Sequence, residues 1–135
     1  MFHEITIIGY LGREPEMRYT PSGQAVTNFS LAANRRYTNG NGEQVEETIW
    51  FRVAAWGRLA ETCNQYLSKG RLVFVKGRLN PDPATGNPRI FSRQDGSAGA
   101  SFEVTASQVL FLSGNGENNG AAGHPGEDED SDIPF

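Results

Sequence analysis

"ETIWFRVAAWGRLAETCNQYLSKGRLVFVKGRL", Glu47 to Leu79, changes its hydrophobic period twice. From Ile49 to Trp56 the residues sort by parity: Ile49, Phe51, Val53 and Ala55 on one side, Trp50, Arg52, Ala54 and Trp56 on the other. Successive side chains of a strand point to opposite faces, so this is a strand with a wholly apolar core face. Beyond Trp56 the period becomes helical. Leu59, Cys63, Tyr66 and Leu67 recur at i, i+4, i+7 and i+8, and Gly70 supplies a stop. The spacing predicts a helix over Arg58 to Ser68 that plugs a barrel, with Cys63 a small core residue on its apolar stripe. "RLVFVKGRL" (Arg71–Leu79) returns to a strand.

On the N-terminal side, Ile5, Ile7 and Leu11 alternate along a first strand from His3 to Gly12, and a turn at "TPSG" (Thr20–Gly23) closes that region. "QAVTNFSLAANRR" (Gln24–Arg36) forms the second strand, with Ala25, Phe29, Leu31 and Ala33 on one face. "NGNG" (Asn39–Gly42) then marks a hairpin into the third. On the C-terminal side "NPDPATGNP" (Asn80–Pro88) is a loop, and Arg89–Leu112 a further strand region with a Gly-rich break near Asp95–Gly99. Three strands, one helix and two strands is the order of an OB-fold, a mainly β, five-stranded Greek-key barrel. The expected organisation is a barrel domain over 1–112, a Gly-rich linker over 113–126 and an acidic tip over 127–135 that is disordered in isolation.

Charge divides the chain at the same place. Up to Leu112 it holds all 12 Lys and Arg and 10 of the 16 Asp and Glu; beyond, six acids and no base. A body with a slight positive balance thus carries an arm of opposite sign. One cysteine permits no internal disulfide, and runs such as "RLVFV" and "VLFL" fall far short of the roughly 20 residues of a membrane span. The simplest compartment is the cytoplasm, and no membrane partner is expected. His3 and His124, the two histidines, assemble no metal site with a lone cysteine, and no phosphate-cradling glycine motif occurs. A binding protein without catalytic residues, metal or cofactor is the expectation.

The face that carries Trp50, Arg52 and Trp56 is unlike the polar face of an ordinary sheet. Flat rings beside fixed positive charge suit single-stranded nucleic acid, because unpaired bases stack on aromatics while Lys and Arg neutralise phosphates. The same mixture recurs. Arg35, Arg36 and Tyr37 precede the hairpin and would extend the surface onto a mobile finger. Lys69 and Arg71, then Lys76 and Arg78, belong to the repeated "KGRL", and Arg89 and Arg93 flank Phe91. Basic residues interleaved with aromatics in three segments make the DNA-binding candidates more specific than any one pair would. A carbohydrate-binding or purely structural barrel has no use for such spread-out cations. A primosome-type or RNA-binding barrel is the nearer alternative.

In "IGYLGREPEMRYTPSGQAVTNFSLA", in Glu47–Leu79 and in the terminal "DSDIPF", the chain resembles the bacterial single-stranded DNA-binding protein family over nearly its whole length. The resemblance implies a homotetramer of OB domains that DNA wraps during replication, recombination and repair, near the nucleoid. By position it implies that Trp50 stacks on DNA, that Trp56 occupies an aromatic stacking site, and that Tyr37 stands where some members carry another tryptophan. The family's further tryptophan after the fourth strand is missing, and Phe91 is the candidate substitute. It also implies that Asp128, Glu129, Asp130, Asp132, Ile133, Pro134 and Phe135 dock replication and repair enzymes. Carboxylates would steer to a basic patch while Ile133 and Phe135 enter an apolar pocket. A linker from Ser113 to Gly126 would span roughly 20 Å, holding such partners close.

Overall fold

A computed structural model describes residues 1–112; the predicted linker and tip, with their partner-docking residues, lie outside the described residues. Seven strands and one helix follow in the order β1 (Ile5–Leu11), β2 (Glu16–Tyr19), β3 (Ala25–Thr38), β4 (Gln44–Trp56), α1 (Arg58–Tyr66), β5 (Leu72–Asn80), β6 (Arg89–Ser92) and β7 (Ala98–Phe111). The sheet runs β1-β5-β7-β4-β3-β2 and closes on itself where Tyr10 and Leu11 pair with Ala32 and Leu31. Five strands therefore make a barrel, with β4 and β7 parallel and the other neighbours antiparallel. The expected OB-fold is present.

The interior follows the parity of the strands. Ile7, Leu11, Phe29, Leu31, Phe51, Val53, Val73, Val75 and Val104 are buried in one cluster, at about 1.5–3 kcal/mol of transfer free energy for each fully buried large side chain. Helix α1 closes one end. Ala60, Cys63 and Leu67 are buried, and the buried Thr27 hydroxyl donates to the Ala60 carbonyl at 2.7 Å, tying helix to barrel. Burial pushes the Cys63 thiol up from its usual 9.0 to about 11. Gly57 joins β4 to α1 at φ +67°, a left-handed conformation that favours glycine, and its N–H donates to Ala25.

Four expectations change. The segment Glu16–Tyr19 is a strand paired with β3, unannounced because four residues are too few to establish a period. The helix ends at Tyr66, with Leu67 already extended as its cap, short of Ser68. Tyr66 lies 52% exposed on the helix flank, its ring 5.9 Å from Phe111. Ile49, assigned to the core face, is 41% exposed, because β3 and β4 outrun the barrel as a two-stranded finger with no opposite wall to cover it.

Candidate nucleic-acid interface

Strand β4 supplies the centre of the candidate site. Trp50 and Trp56 are 54% and 40% exposed while Phe51, Val53 and Ala55 between them are buried, so both indoles stand on the outer wall. Gly12 explains how Trp50 lies. A Cβ built at that position would stand 2.5 Å from the ring, so the six-membered ring of the indole lies against the glycine, in a place no side chain could share. At the other end Trp56 pairs with Val26, which pairs in turn with Arg18 of β2. Arg18 was no candidate in the sequence because its strand was not apparent there.

The register carries the wall sideways. Arg52 is the Cα partner of Glu103 on β7, and Ala54 that of Thr105, which pairs with Arg78 of β5. Cα partners share a face, so Arg52 and Arg78 stand on the wall with the tryptophans. Arg89 pairs with Ser101, and Phe91 with Gly99, on that same face through β7. A Cβ at Gly99 would meet both Phe91 and Arg93 at 2.7 Å, and the Arg93 guanidinium lies 5.6 Å from the Phe91 ring centroid. Phe91, Arg89 and Arg93 thus join the wall from the β6–β7 hairpin. Lys76 pairs with Thr6 and Gln108, one step further round the barrel.

The finger differs. Tyr37 pairs with Val45 and Arg35 with Glu47, in the parity of Ile49, so both occupy the reverse face of the ribbon from Trp50. The continuous surface expected to run from Trp50 onto Tyr37 is therefore broken by one residue of register; only Arg36 keeps the parity of the tryptophans. Arg35 covers the Tyr37 ring at 4.4 Å and binds Glu47 at 3.0 Å, and Arg36 faces Glu46 at 3.8 Å. Arg89 likewise faces Glu103 at 3.4 Å. Arg52, Lys76 and Arg78 have no carboxylate within ion-pair distance among the described residues. Lys69 and Arg71 lie at the end of α1. The Arg71 guanidinium donates to the Tyr66 carbonyl at 3.2 Å, satisfying a free helix end, and the Lys69 N–H donates to Glu14 at 3.3 Å. Arg71 is thereby engaged in holding the fold.

Residues 2–112 match the model of the single-strand binding protein family. The chain belongs to that family. Among family relatives, a Neisseria meningitidis single-stranded DNA-binding protein is 38% identical over 120 residues, covering 89% of this chain and 65% of that protein. Single-stranded DNA-binding protein 1 of Chlorobaculum tepidum is 48% identical over 77 residues, covering 57% of this chain and 48% of that one. The chain thus spans two thirds or less of the length of these relatives. Solved structures agree on the fold. The single-stranded DNA-binding protein of Thermus aquaticus superposes at a TM-score of 0.66 with 32% identity over 85% of this chain and 52% of that one. A Plasmodium falciparum member, solved in complex with single-stranded DNA, superposes at 0.68 with 27% identity over 83% of this chain and 96% of that one.

Proposed function

We propose that this chain binds and protects single-stranded DNA without reading its sequence, in replication, recombination and repair, and that it catalyses no reaction. The observation that carries the reading is the pair of half-exposed indoles on one wall with Arg52, which no carboxylate neutralises among the described residues. Each stacked base contributes about 1–3 kcal/mol whatever its identity, and cations along the wall release counterions from the phosphates. Trp50, Trp56 and Phe91 are the stacking platforms; Arg52, Arg78 and Arg93 hold the backbone, Arg89 does so once its ion pair with Glu103 opens, and Lys76 stands at the margin. Arg35, Arg36 and Tyr37 serve as an outlying contact on the finger, and Lys69 and Arg71 as a peripheral one.

The protein acts as a homotetramer in this reading. Support comes from Tyr10, Leu72, Phe74 and Leu110, which share the outer face of the β1–β5–β7 side and leave it apolar. A monomer in sedimentation at micromolar concentration would refute the assembly. The segment from Asp128 to Phe135 docks partner enzymes and, being acidic, competes with DNA for the basic wall at low salt. Deleting residues 126–135 tightens oligo-dT binding at low salt and ends recruitment; unchanged affinity with intact recruitment contradicts this.

Intrinsic tryptophan fluorescence titrated with oligo-dT, oligo-rU and duplex DNA tests the main reading. A strong quench by oligo-dT that weakens as salt rises is expected. A stronger response to oligo-rU points to an RNA-binding barrel, and an equal response to duplex overturns single-strand selectivity.

A further inference from the structure

Strand β2 is an edge of the sheet, and the turn that joins it to β3 sets its register. The Thr20 N–H donates to the Gln24 carbonyl at 2.9 Å, the Gln24 N–H donates to the Thr20 hydroxyl at 3.1 Å, and Gly23 turns the chain at φ +91°. A slip of one residue would send every β2 side chain to the other face, so this turn decides where Arg18 points.

Arg18 is the Cα partner of Val26, and Val26 that of Trp56, so the three form one row across the outer wall. Adjacent strands lie about 4.8 Å apart, which puts the Arg18 and Trp56 Cα atoms about 10 Å from each other. Val26 faces outward and is nevertheless only 2% exposed. Side chains beside it on that face cover it, and its direct partners there are the indole and the arginine. Trp56 keeps 40% of its surface exposed, enough to offer a base part of its ring. Arg18 is exposed and makes no ion pair among the described residues, although Glu16 shares its face two residues earlier. An unpaired cation beside a half-exposed indole is the arrangement that Trp50 and Arg52 show along β4, repeated here across strands.

We propose that the bound strand continues past Trp56 onto β2, where Arg18 holds the phosphate of the nucleotide whose base stacks on Trp56. Arg52, four residues from Trp56 on the same strand, is about 13 Å away by Cα and is the more distant cation. The planar guanidinium of Arg18 can donate to two oxygens of one phosphate, which fixes that nucleotide in orientation as well as in charge. The proposal rests on the single-strand binding reading and extends the wall to the edge of β2. Arg58, two residues beyond Trp56 at the start of α1, is the rival for the same phosphate.

The test is a set of double-mutant cycles read by oligo-dT affinity across a salt series. Arg18→Ala flattens the slope of log affinity against log salt by about 0.7, which over one decade of salt amounts to a loss of about fivefold at the low-salt end. In the Trp56→Ala background the same change costs less than about twofold, because the nucleotide that presents the phosphate is no longer held there, whereas in the Trp50→Ala background it keeps its full effect. Arg58→Ala shows no such difference between the two backgrounds. An unchanged slope in Arg18→Ala, equal losses from it in both tryptophan backgrounds, or coupling of Trp56 to Arg58 in its place overturns the proposal. Arg18→Gln keeps much of the stem beside Val26 and covers the case in which the alanine variant fails to fold. It must reproduce the flattened slope, and a parent-like slope in this variant also overturns the proposal. Failure of the parent chain to bind oligo-dT would instead overturn the single-strand reading.

Discussion

The barrel wall and the β3–β4 finger carry the same residue types with different consequences. On the wall, Trp50 lies against Gly12 and Arg52 stands without an ion pair among the described residues, so rings are positioned and charge is left over. On the finger, Arg35 and Arg36 face Glu47 and Glu46, and Tyr37 is covered by Arg35 on the reverse side from Trp50. Exposed ion pairs contribute little to stability, but each must open before its arginine meets a phosphate. An aromatic and a cation make a binding site when the sheet beneath holds the ring and no carboxylate already holds the charge. Proximity in sequence is not enough.

The sharpest way to break this contrast is to remove the ring that the wall positions best. Trp50→Ala should weaken oligo-dT binding by about 1–3 kcal/mol, roughly 5- to 150-fold, with little change in melting temperature because the indole is half exposed. Gly12→Ala should come next. Its methyl would enter the space of the Trp50 ring, tilting the platform and losing about threefold or more of the stacking contribution. Unchanged affinity and unchanged tryptophan emission would show that the contact is incidental.

Salt dependence separates wall from finger directly. In plots of log affinity against log salt, Arg52→Ala should flatten the slope by about 0.7, one phosphate on a single strand, and Arg35→Ala by less. Equal slopes would erase the distinction. The barrel core beneath the wall gives the smallest effect and a control. The Cys63 pKa is raised in the folded chain, so the thiol's contribution is complete below its unfolded value near 9.0 and is lost as pH rises toward about 11. Stability should therefore fall over that alkaline window, and Cys63→Ala should remove that part of the fall, as read by denaturant midpoints.

The barrel was legible in the sequence because parity and helical period are local: Phe51, Val53 and Ala55 alternate, and Cys63 follows Leu59 by one turn. Strand β2 was not, since its four residues are held by pairing to β3, a contact no period announces. The two tryptophans were legible as outward because their neighbours of opposite parity are apolar. Tyr37 was placed with them by nearness, but thirteen paired positions along β3 and β4 set its face, and register over such a span depends on the turn at Asn39–Gly42. Ile49 fails for a related reason, since alternation says which way a side chain points and nothing about whether the barrel reaches that far. Glu103, among the least conspicuous residues in the sequence, gains its position only when β4, β5 and β7 come together.

The claim beneath all of this is that two indoles on the barrel wall anchor single-stranded DNA. Equilibrium titration of oligo-dT into Trp50→Ala/Trp56→Ala, beside Tyr37→Ala and at one salt concentration, measures it most directly. With melting temperatures close to the parent's, the double variant should lose roughly 30-fold or more in affinity, two stacking contributions at their lower limit, and Tyr37→Ala less than about threefold. A double variant within about threefold of the parent would contradict the account.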